Sequence, residues 1–596
     1  MNEEPKSIWK KSWPTPFLFR AWLVLAAATF LILLVIILFL PGGPRSLLDW
    51  VPASLFLLAA SAAIATVFLS VWQLGRWLLC WRNCKRSLFA LACLATLIAL
   101  FYAEEDWRGR HNWNAFKHDW EIRGEKLDFK DFVPPVVPDE LNFAMTPLIA
   151  SSYDYILTRD GKKIPTLERP TNHVDRLRFD LGDADWHTNG TGDWAKGTLS
   201  NLQPWQELYR SLATKTNLFP VPAQPQTPAA DVLLALSRYD KTIEELRQAS
   251  QRPESRYPLD YATENPAEIL LPHLWELKTS ALLLRLRAVA ELQNDQSEQA
   301  LADVQLALRL TGAIRTEPIM ISHLVRVAMT EIIIQPIYEG LARHQWSDAQ
   351  LVALDTELAK FDFLADCQLV QKSEVAFTVS EIDYLRRHRN YGKIFTEMGV
   401  NHPGESIWEN LNYHCAPSGW FFQSAVRNCR ILMQYYPAVG SQAKTISPGK
   451  TKEAGDAEKS ANDTTQGFDA LEWFKKAFNS NNQDLRSSGN FLKKIAFAQS
   501  SVDLARTAIA LERYRLAHGE YPESLDALTP KFIAEMPHDV IGGGPVKYRR
   551  DSANQFVLYS IGWNERDDGG VVVFGEGKTP AVDISQGDWV WRYPAK

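Results

Sequence analysis

Cysteine is scarce in this chain, with six residues in 596. Cys80, Cys84 and Cys93 fall in or beside apolar runs, and Cys367, Cys415 and Cys429 in the remainder. No His or Cys cluster joins the Cys80/Cys84 pair, which argues against a zinc-type site. Cys415 and Cys429 are candidates for pairing in an oxidising compartment, free thiols being the alternative, and so small a number does not decide the compartment. Charge of one sign is lacking too. A formal net charge of -6 over this length supplies no basic face of the kind nucleic-acid binding needs. GxSxG, HExxH, the P-loop and paired Cys/His clusters are all missing, so the common signatures of serine hydrolysis, zinc proteolysis and phosphate cradling are absent. No sustained 34-residue period marks a helical repeat array.

Long apolar runs are present, all near the N-terminus. Trp22–Leu40 is uncharged and stops at Pro41-Gly42-Gly43-Pro44; Val51–Leu74 and the shorter Ser87–Ala103 are also uncharged. About 20 apolar residues cross a hydrocarbon core of about 30 Å, so three transmembrane helices are expected at about 22–40, 51–74 and 87–103. Trp50, Trp72, Trp77, Trp81 and Trp107 lie near run ends, where interfacial belts place indoles. Three successive runs argue against a cleaved signal peptide.

Orientation follows from the flanks. Lys6, Lys10, Lys11 and Arg20 precede the first run, Arg45 alone separates the first from the second, and Arg76, Arg82, Lys85 and Arg86 precede the third. Positive charge marks the inner side, so the N-terminus is expected in the cytoplasm of a bacterial inner-membrane protein. Everything after about residue 103 is then extracytoplasmic, in the periplasm. If the third run does not cross, the body is cytoplasmic instead.

Trp113, Phe116 and Trp120 recur at helical spacing beyond the third run, and Pro134, Pro135 and Pro138 then force an extended path. This passage resembles the membrane-proximal segment of large membrane-anchored proteins of Verrucomicrobia and Planctomycetes, a resemblance that implies no activity. Residues 151–228 read as loops around short strands. Asp180, Asp183, Asp185 and Asp193 there lack the spacing and closing Glu of an EF-hand and read as a solvated loop. Residues 229–389 are overwhelmingly helical in pattern. A helix pair joined at Asn294-Asp295-Gln296 is similar to a tetratricopeptide hairpin, and Ser347 with Gln350 forms a capping box. Glu317-Pro318 and Gln335-Pro336 are expected to bend or restart helices. His273 and His323, on apolar helices, read as satisfied core or interface histidines rather than catalytic bases. Aromatic residues crowd 390–437, with core filling as the default reading and a groove as the other. Residues 439–466 are polar and read as a flexible linker.

In the last segment Phe491, Ile495, Ala498, Val502, Ala505 and Ile509 step along one helix face. Val546–Arg550 and Phe556–Ser560 flank a hairpin turn, and Val571–Phe574 offers a third strand. The stretch ALERYRLAHGEYPESLDAL, followed by FVLYSIGWNERDDGG, resembles the major (G-type) pseudopilin of the type II secretion system, whose helix ends in Tyr-Arg-x-x-x-Gly-x-Tyr-Pro. About seventy residues, Ser501–Gly570, carry the likeness. No prepilin-peptidase site precedes a Phe-rich N-terminal helix, which sets the chain apart from a true pseudopilin. In that family the acidic loop binds calcium, and the resemblance makes Asp567 and Asp568 the metal-site candidates, with Asn564, Glu565 and Asp583 as helpers. An Asp-Gly turn is the plain alternative.

The expected fold is a multi-domain α+β membrane protein: three N-terminal transmembrane helices, an α-helical hairpin (tetratricopeptide-like) body, and a C-terminal pseudopilin-like helix plus small antiparallel sheet. The expected divisions are 1–103, 104–228, 229–438, 439–466 and 467–596. Two functions fit: a cell-envelope scaffold or interaction protein whose partners are the lipid bilayer and envelope or secretion proteins, or an envelope enzyme with its site in the mixed or aromatic region. No catalytic residue is singled out, and calcium, which the resemblance implies, is the one cofactor considered.

Overall fold

The computed structural model describes residues 15–39, 47–79, 81–150, 155–157, 163–165, 177, 179, 181, 190–216, 218–389, 414–440, 442–463, 487–553, 555–576 and 581–592. The chain divides into two compact units, Met1–Glu105 and Asp106–Lys596. The structure is mixed α+β and 66% helical, so helix packing, not the sheets, sets the architecture.

The first unit follows from the apolar runs. Helix α1 spans Thr15–Phe39, α2 spans Leu47–Leu79, and α3 begins at Trp81 and continues to Ile122. With no acidic or basic residue between Trp22 and Phe39, α1 has no polar face to turn toward water. It packs along α2, whose Leu57, Ser61 and Ala65 form a buried stripe at helical spacing. Small residues let two apolar helices approach closely. Trp22 Nε1 donates to Thr66 Oγ1 at 3.0 Å across the pair, so neither polar group is left in apolar surroundings. Leu88, Phe89, Leu91, Leu94 and Leu97 of α3 are exposed. All three helices are long and apolar enough to cross a membrane. The run at 87–103 and the aromatic helix expected after it are one uninterrupted helix.

A fourth helix meets the same length and composition criterion, Met320–Ala342, but 67% of its apolar window is buried inside the protein. It is a core helix of the second unit. Chain order there begins with the C-terminal turns of α3, followed by α4 (Pro147–Ala150), a two-stranded hairpin of β1 (Tyr155–Leu157) and β2 (Lys163–Pro165), α5 (Gln203–Thr216), α6 (Pro228–Leu236) and α7 (Asp240–Ala249). Next come α8 (Pro272–Gln293), α9 (Ser297–Gly312), α10 (Met320–Ala342), α11 (Asp348–Leu358) and α12 (Phe363–His388). Then follow α13 (Ser418–Met433), the short hairpin β3 (Val439–Gly440) and β4 (Thr445–Ile446), α14 (Pro448–Asp463) and α15 (Ser487–His518). Five strands close the chain: β5 (Lys547–Ser552), β6 (Gln555–Ser560), β7 (Val572–Phe574), β8 (Val582–Gly587) and β9 (Trp589–Arg592).

Helices α8 and α9 form the expected hairpin through Asn294–Gln296, and α10 packs on both. Buried Asp303 ties the layer together: it accepts from Arg247 of α7 and from Arg287 of α8, each at 2.8 Å. Two guanidinium partners offset the desolvation of that carboxylate. The Ser347/Gln350 capping box starts α11 as expected. Pro318 precedes α10, whereas Pro336 lies inside it. The helix is therefore not restarted at Pro336.

Helix α15 is the axis of the second unit. The expected stripe Phe491, Ile495, Ala498, Val502, Ala505 and Ile509 is buried, but so are Leu492, Ala496, Leu504, Ala508, Ala510 and Leu511. Its other faces pack on α10, α11 and α12, while β6, β8 and β9 cover the rest. One continuous core therefore runs from Phe129 to Trp591. That core crosses the divisions anticipated at 228, 438 and 466. Val439–Gly440 and Thr445–Ile446 are strands and Pro448–Asp463 is a helix rather than a free connector; Ile446 and Ala454 are buried and Tyr435 hydroxyl donates to Glu458 at 2.8 Å. The sheet differs as well. β5 and β6 form the expected hairpin, but β9 completes it, and β7 pairs with β8. Buried Trp589, Val590 and Trp591 give β9 the stronger claim on the core.

Candidate functional site

The acidic turn is built on the exit of β6. Asp567 Oδ1 accepts from Tyr559 hydroxyl at 2.9 Å and from Gly569 N–H at 3.1 Å, and Lys547 Nζ lies 3.4 Å from Oδ2. These contacts, led by the Tyr559 hydrogen bond, lower the Asp567 pKa. Asp568 Oδ2 accepts from Asn564 Nδ2 at 2.7 Å. Asp583 faces its own strand, accepting Ser585 N–H at 2.9 Å. Glu565 takes a positive φ of 58°. The organiser of the turn is a residue the pattern did not single out. Buried Asp588 accepts the N–H groups of Asp568, Gly570 and Val571 at 3.2, 2.6 and 3.3 Å. The Gly587-Asp588 step just ahead of a Trp-rich strand was the sequence signal for it.

Calcium collects six to eight oxygens. Here the oxygens of Asp567, Asp568 and Asp588 already accept from N–H and O–H groups, and an ammonium sits beside Asp567. Among the described residues no group of three or more His, Cys, Asp or Glu side chains is placed to hold a metal. The residues fit a hydrogen-bonded Asp-Gly turn and do not fit a calcium cage. Asp180, Asp183 and Asp185 lie outside the described residues; Asp193 caps the short helix Trp194–Lys196 through Ala195 N–H at 3.1 Å.

The two histidines meet at one buried glutamate, Glu317, a partner that sequence offset alone did not disclose. His273 Nε2 lies 2.7 Å from Glu317 Oε1, Ser322 hydroxyl donates to Glu317 Oε2, and His323 Nε2 lies 2.9 Å from the Glu317 carbonyl. Tyr257 stacks on His273 with ring centroids 4.0 Å apart. Serine here contacts the carboxylate rather than an imidazole, so the order of a catalytic triad is not met. All four groups are almost fully buried. They link the start of α8 to the α9–α10 connection. Cys367 and Cys429 are buried and Cys415 is exposed. Burial raises the Cys367 pKa strongly, which keeps the thiol protonated and inert.

Open space occurs instead at the seam between α3 and α13. Gly109 and Gly419 touch there: a Cβ on Gly109 would stand 2.2 Å from the Gly419 carbonyl oxygen. Asp106 accepts Gly419 N–H at 2.7 Å and so closes the first turn of α13. On one side of this crossing lies a cleft of about 620 Å³. Trp113, Phe129, Tyr261, Phe421 and Phe422 give it aromatic walls; Lys117, Lys126, Lys130, Arg386 and Arg387 face Glu121, Glu125, Asp131, Glu264 and Asp383 around its rim. Arg386 stacks over Phe422 at 5.1 Å and donates to Asp383 at 2.7 Å, which fixes its fork. Lys372 reaches Glu125 at 2.9 Å. The aromatic excess of residues 390–437 is thus divided: Trp420 and Tyr435 are core, Phe421 and Phe422 are both packed and cleft-lining, and Tyr391, Phe395, Trp408 and Tyr413 lie outside the described residues. No family model, no curated protein and no solved structure matches the chain.

Proposed function

We propose that the chain is a membrane-anchored interaction protein of the cell envelope. Three N-terminal spans hold it in the inner membrane, and residues after about 103 form an extracytoplasmic body that recognises a partner through the α3–α13 cleft. The single observation carrying this reading is the make-up of that cleft: aromatic walls, a rim of mixed charge, and neither histidine nor cysteine among the described lining residues. Aromatic and Arg side chains are the anchors of recognition surfaces. His273, His323 and the thiols of Cys367 and Cys429 are buried in the core and take no part in the lining of the cleft. The four, one and four positive charges flanking the apolar runs support the orientation. The pseudopilin resemblance is read as a borrowed structural element that supports the body, with a link to secretion or envelope assembly as its consequence.

A photo-crosslinking residue at Lys126 on the rim, introduced into the full chain in native membranes, tests the reading. A discrete adduct at Lys126 that is missing with the probe at exposed Arg549, and lost on Phe422→Ala, is the expected result. Equal adducts at both positions, or none at Lys126, overturn it. Protease added from the periplasmic side should cleave the body; complete protection there would reverse the topology.

A further inference from the structure

A second cleft, of about 520 Å³, opens on the opposite side of the α3–α13 crossing. Its lining along α13 and its C-cap Gln434 is regular. Gln423, Arg427, Arg430 and Gln434 succeed one another at intervals of four, three and four, and all four reach the same space. That spacing puts them on one helix face. Each side chain ends in N–H donors: the guanidinium carries five in a planar fork, the amide two. The facing α3 supplies Asn112, a further amide, and Asp119, the one carboxylate in the lining. Beneath the donors lie Phe116, Val426 and Ile431, all buried. Arg430 is exposed and Arg427 is half-buried, where desolvation lowers its pKa.

Two guanidinium groups facing one carboxylate leave the cleft cationic, and Arg forks match the geometry of phosphate oxygens. The donor row from Gln423 to Gln434 extends over roughly 16 Å at 1.5 Å per residue. That is too long for one isolated phosphate and suits a phosphate flanked by further oxygens. The apolar floor adds a second requirement, a hydrocarbon portion joined to that headgroup. A phosphate-headed amphiphile meets both, and the chain carries three helices apolar enough to place it among such molecules.

We propose that this cleft binds the phosphate-bearing headgroup of an anionic phospholipid. The forks of Arg427 and Arg430 take the phosphate, and the amides of Gln423 and Gln434 take the neighbouring hydroxyl or ester oxygens. The site is independent of the partner cleft, since the two share no lining residue.

The test uses the full chain purified in an uncharged detergent, with bound lipid read by native mass spectrometry. Phosphatidylglycerol, phosphatidylcholine and inorganic phosphate are offered separately at equal concentration. Retention of phosphatidylglycerol over phosphatidylcholine is expected, with affinity falling roughly tenfold for Arg430→Gln and at least as far for Arg427→Gln, as for loss of a charge-assisted hydrogen bond. Arg430 is exposed, so its variant reads binding even if the half-buried Arg427 variant fails to fold. Arg430→Lys keeps the charge without the fork and should fall between. Inorganic phosphate displacing phosphatidylglycerol at equal concentration would reassign the site to free phosphate and overturn the lipid assignment. Equal retention of both lipids, or of phosphatidylglycerol by wild type and Arg430→Gln, would overturn the site altogether.

Discussion

Tyr521 hydroxyl donates to Glu512 Oε2 at 2.8 Å, joining the turn after α15 back to that helix's last full turns. Both groups are buried, and Glu512 also accepts from Arg515 and lies 2.9 Å from His344 Nδ1. Gly519 takes φ of 86° to end the helix, a left-handed position that disfavours a Cβ. Tyr548 hydroxyl then donates to the Pro522 carbonyl at 2.6 Å. The Tyr-Arg-x-x-x-Gly-x-Tyr-Pro run is therefore a helix stop whose tyrosine staples the sheet to α15.

Tyr521→Phe should lower stability by about 1–3 kcal/mol, because Glu512 keeps its burial and loses a donor. Burial alone would raise the Glu512 pKa, but hydrogen bonds from His344, Arg515 and Tyr521 bring it down to about 2. A depressed folded pKa stabilises the protein above the unfolded value and loses that contribution as pH falls through the folded one. The acid limb between pH 4.5 and about 2 should thus move upward in Tyr521→Phe. Thermal denaturation across that range measures it. Coincident acid limbs would show that Glu512 is held by His344 and Arg515 alone.

Two other carboxyls carry the opposite sign. Desolvation pushes Glu374 of α12 and Asp503 of α15 up to about 7, against the pull of Met320 N–H on the first and Gln499 on the second. Each binds a proton in the folded state that the unfolded chain has released. Stability from these groups is present at low pH and falls as pH rises from the ordinary carboxyl value toward 7. Glu374→Gln keeps an acceptor for Met320 N–H and removes the titration. The melting temperature of the variant should change less than that of the wild type between pH 5.5 and 7.5, and parallel profiles would rule out an ionisation at Glu374.

Much of this architecture was legible, and the misses share a cause. The apolar runs, the α8–α9 hairpin and the Ser347 capping box are local signals, and local signals survive without tertiary knowledge. The stripe on α15 was local too, but the burial of Leu504 and Leu511 on other faces depends on α10–α12, which lie far away in sequence. Asp567 and Asp568 were singled out by the pseudopilin resemblance. Asp588, which holds the turn, acts across a strand pair and announces itself only through Gly587. Neither wall of the α3–α13 clefts has a motif, since they arise where two glycines let helices separated by some three hundred residues touch.

Calcium provides a direct check of the acidic turn. With the Asp567, Asp568 and Asp588 oxygens engaged as acceptors, millimolar calcium or EGTA should leave the melting temperature of the full chain unchanged; a ligand bound at 100 times its Kd would contribute about 2.7 kcal/mol. Asp588→Ala should cost about 2–4 kcal/mol, since three backbone N–H groups lose a buried charged acceptor. Asp567→Ala, at a half-exposed position, should cost under about 1 kcal/mol. A calcium-dependent rise in melting temperature that Asp567→Ala abolishes would restore the metal site.

The Gly109–Gly419 crossing sets the separation of α3 and α13, and with it both clefts. A Cβ at Gly109 meets the Gly419 carbonyl oxygen, α-carbon and carbonyl carbon at 2.2, 2.4 and 2.6 Å. These are backbone atoms that cannot rotate aside, so Gly109→Ala must push the helices apart. A loss of about 1–3 kcal/mol is expected, as for other overpacked contacts. The control is Gly312→Ala at the end of α9, where a Cβ meets nothing within 4 Å. There the gain in helix propensity should leave stability unchanged or raise it by about 0.5–1 kcal/mol. Melting of both variants in the same detergent separates steric from entropic effects. Equal losses at the two sites would mean that α3 and α13 do not cross at these glycines.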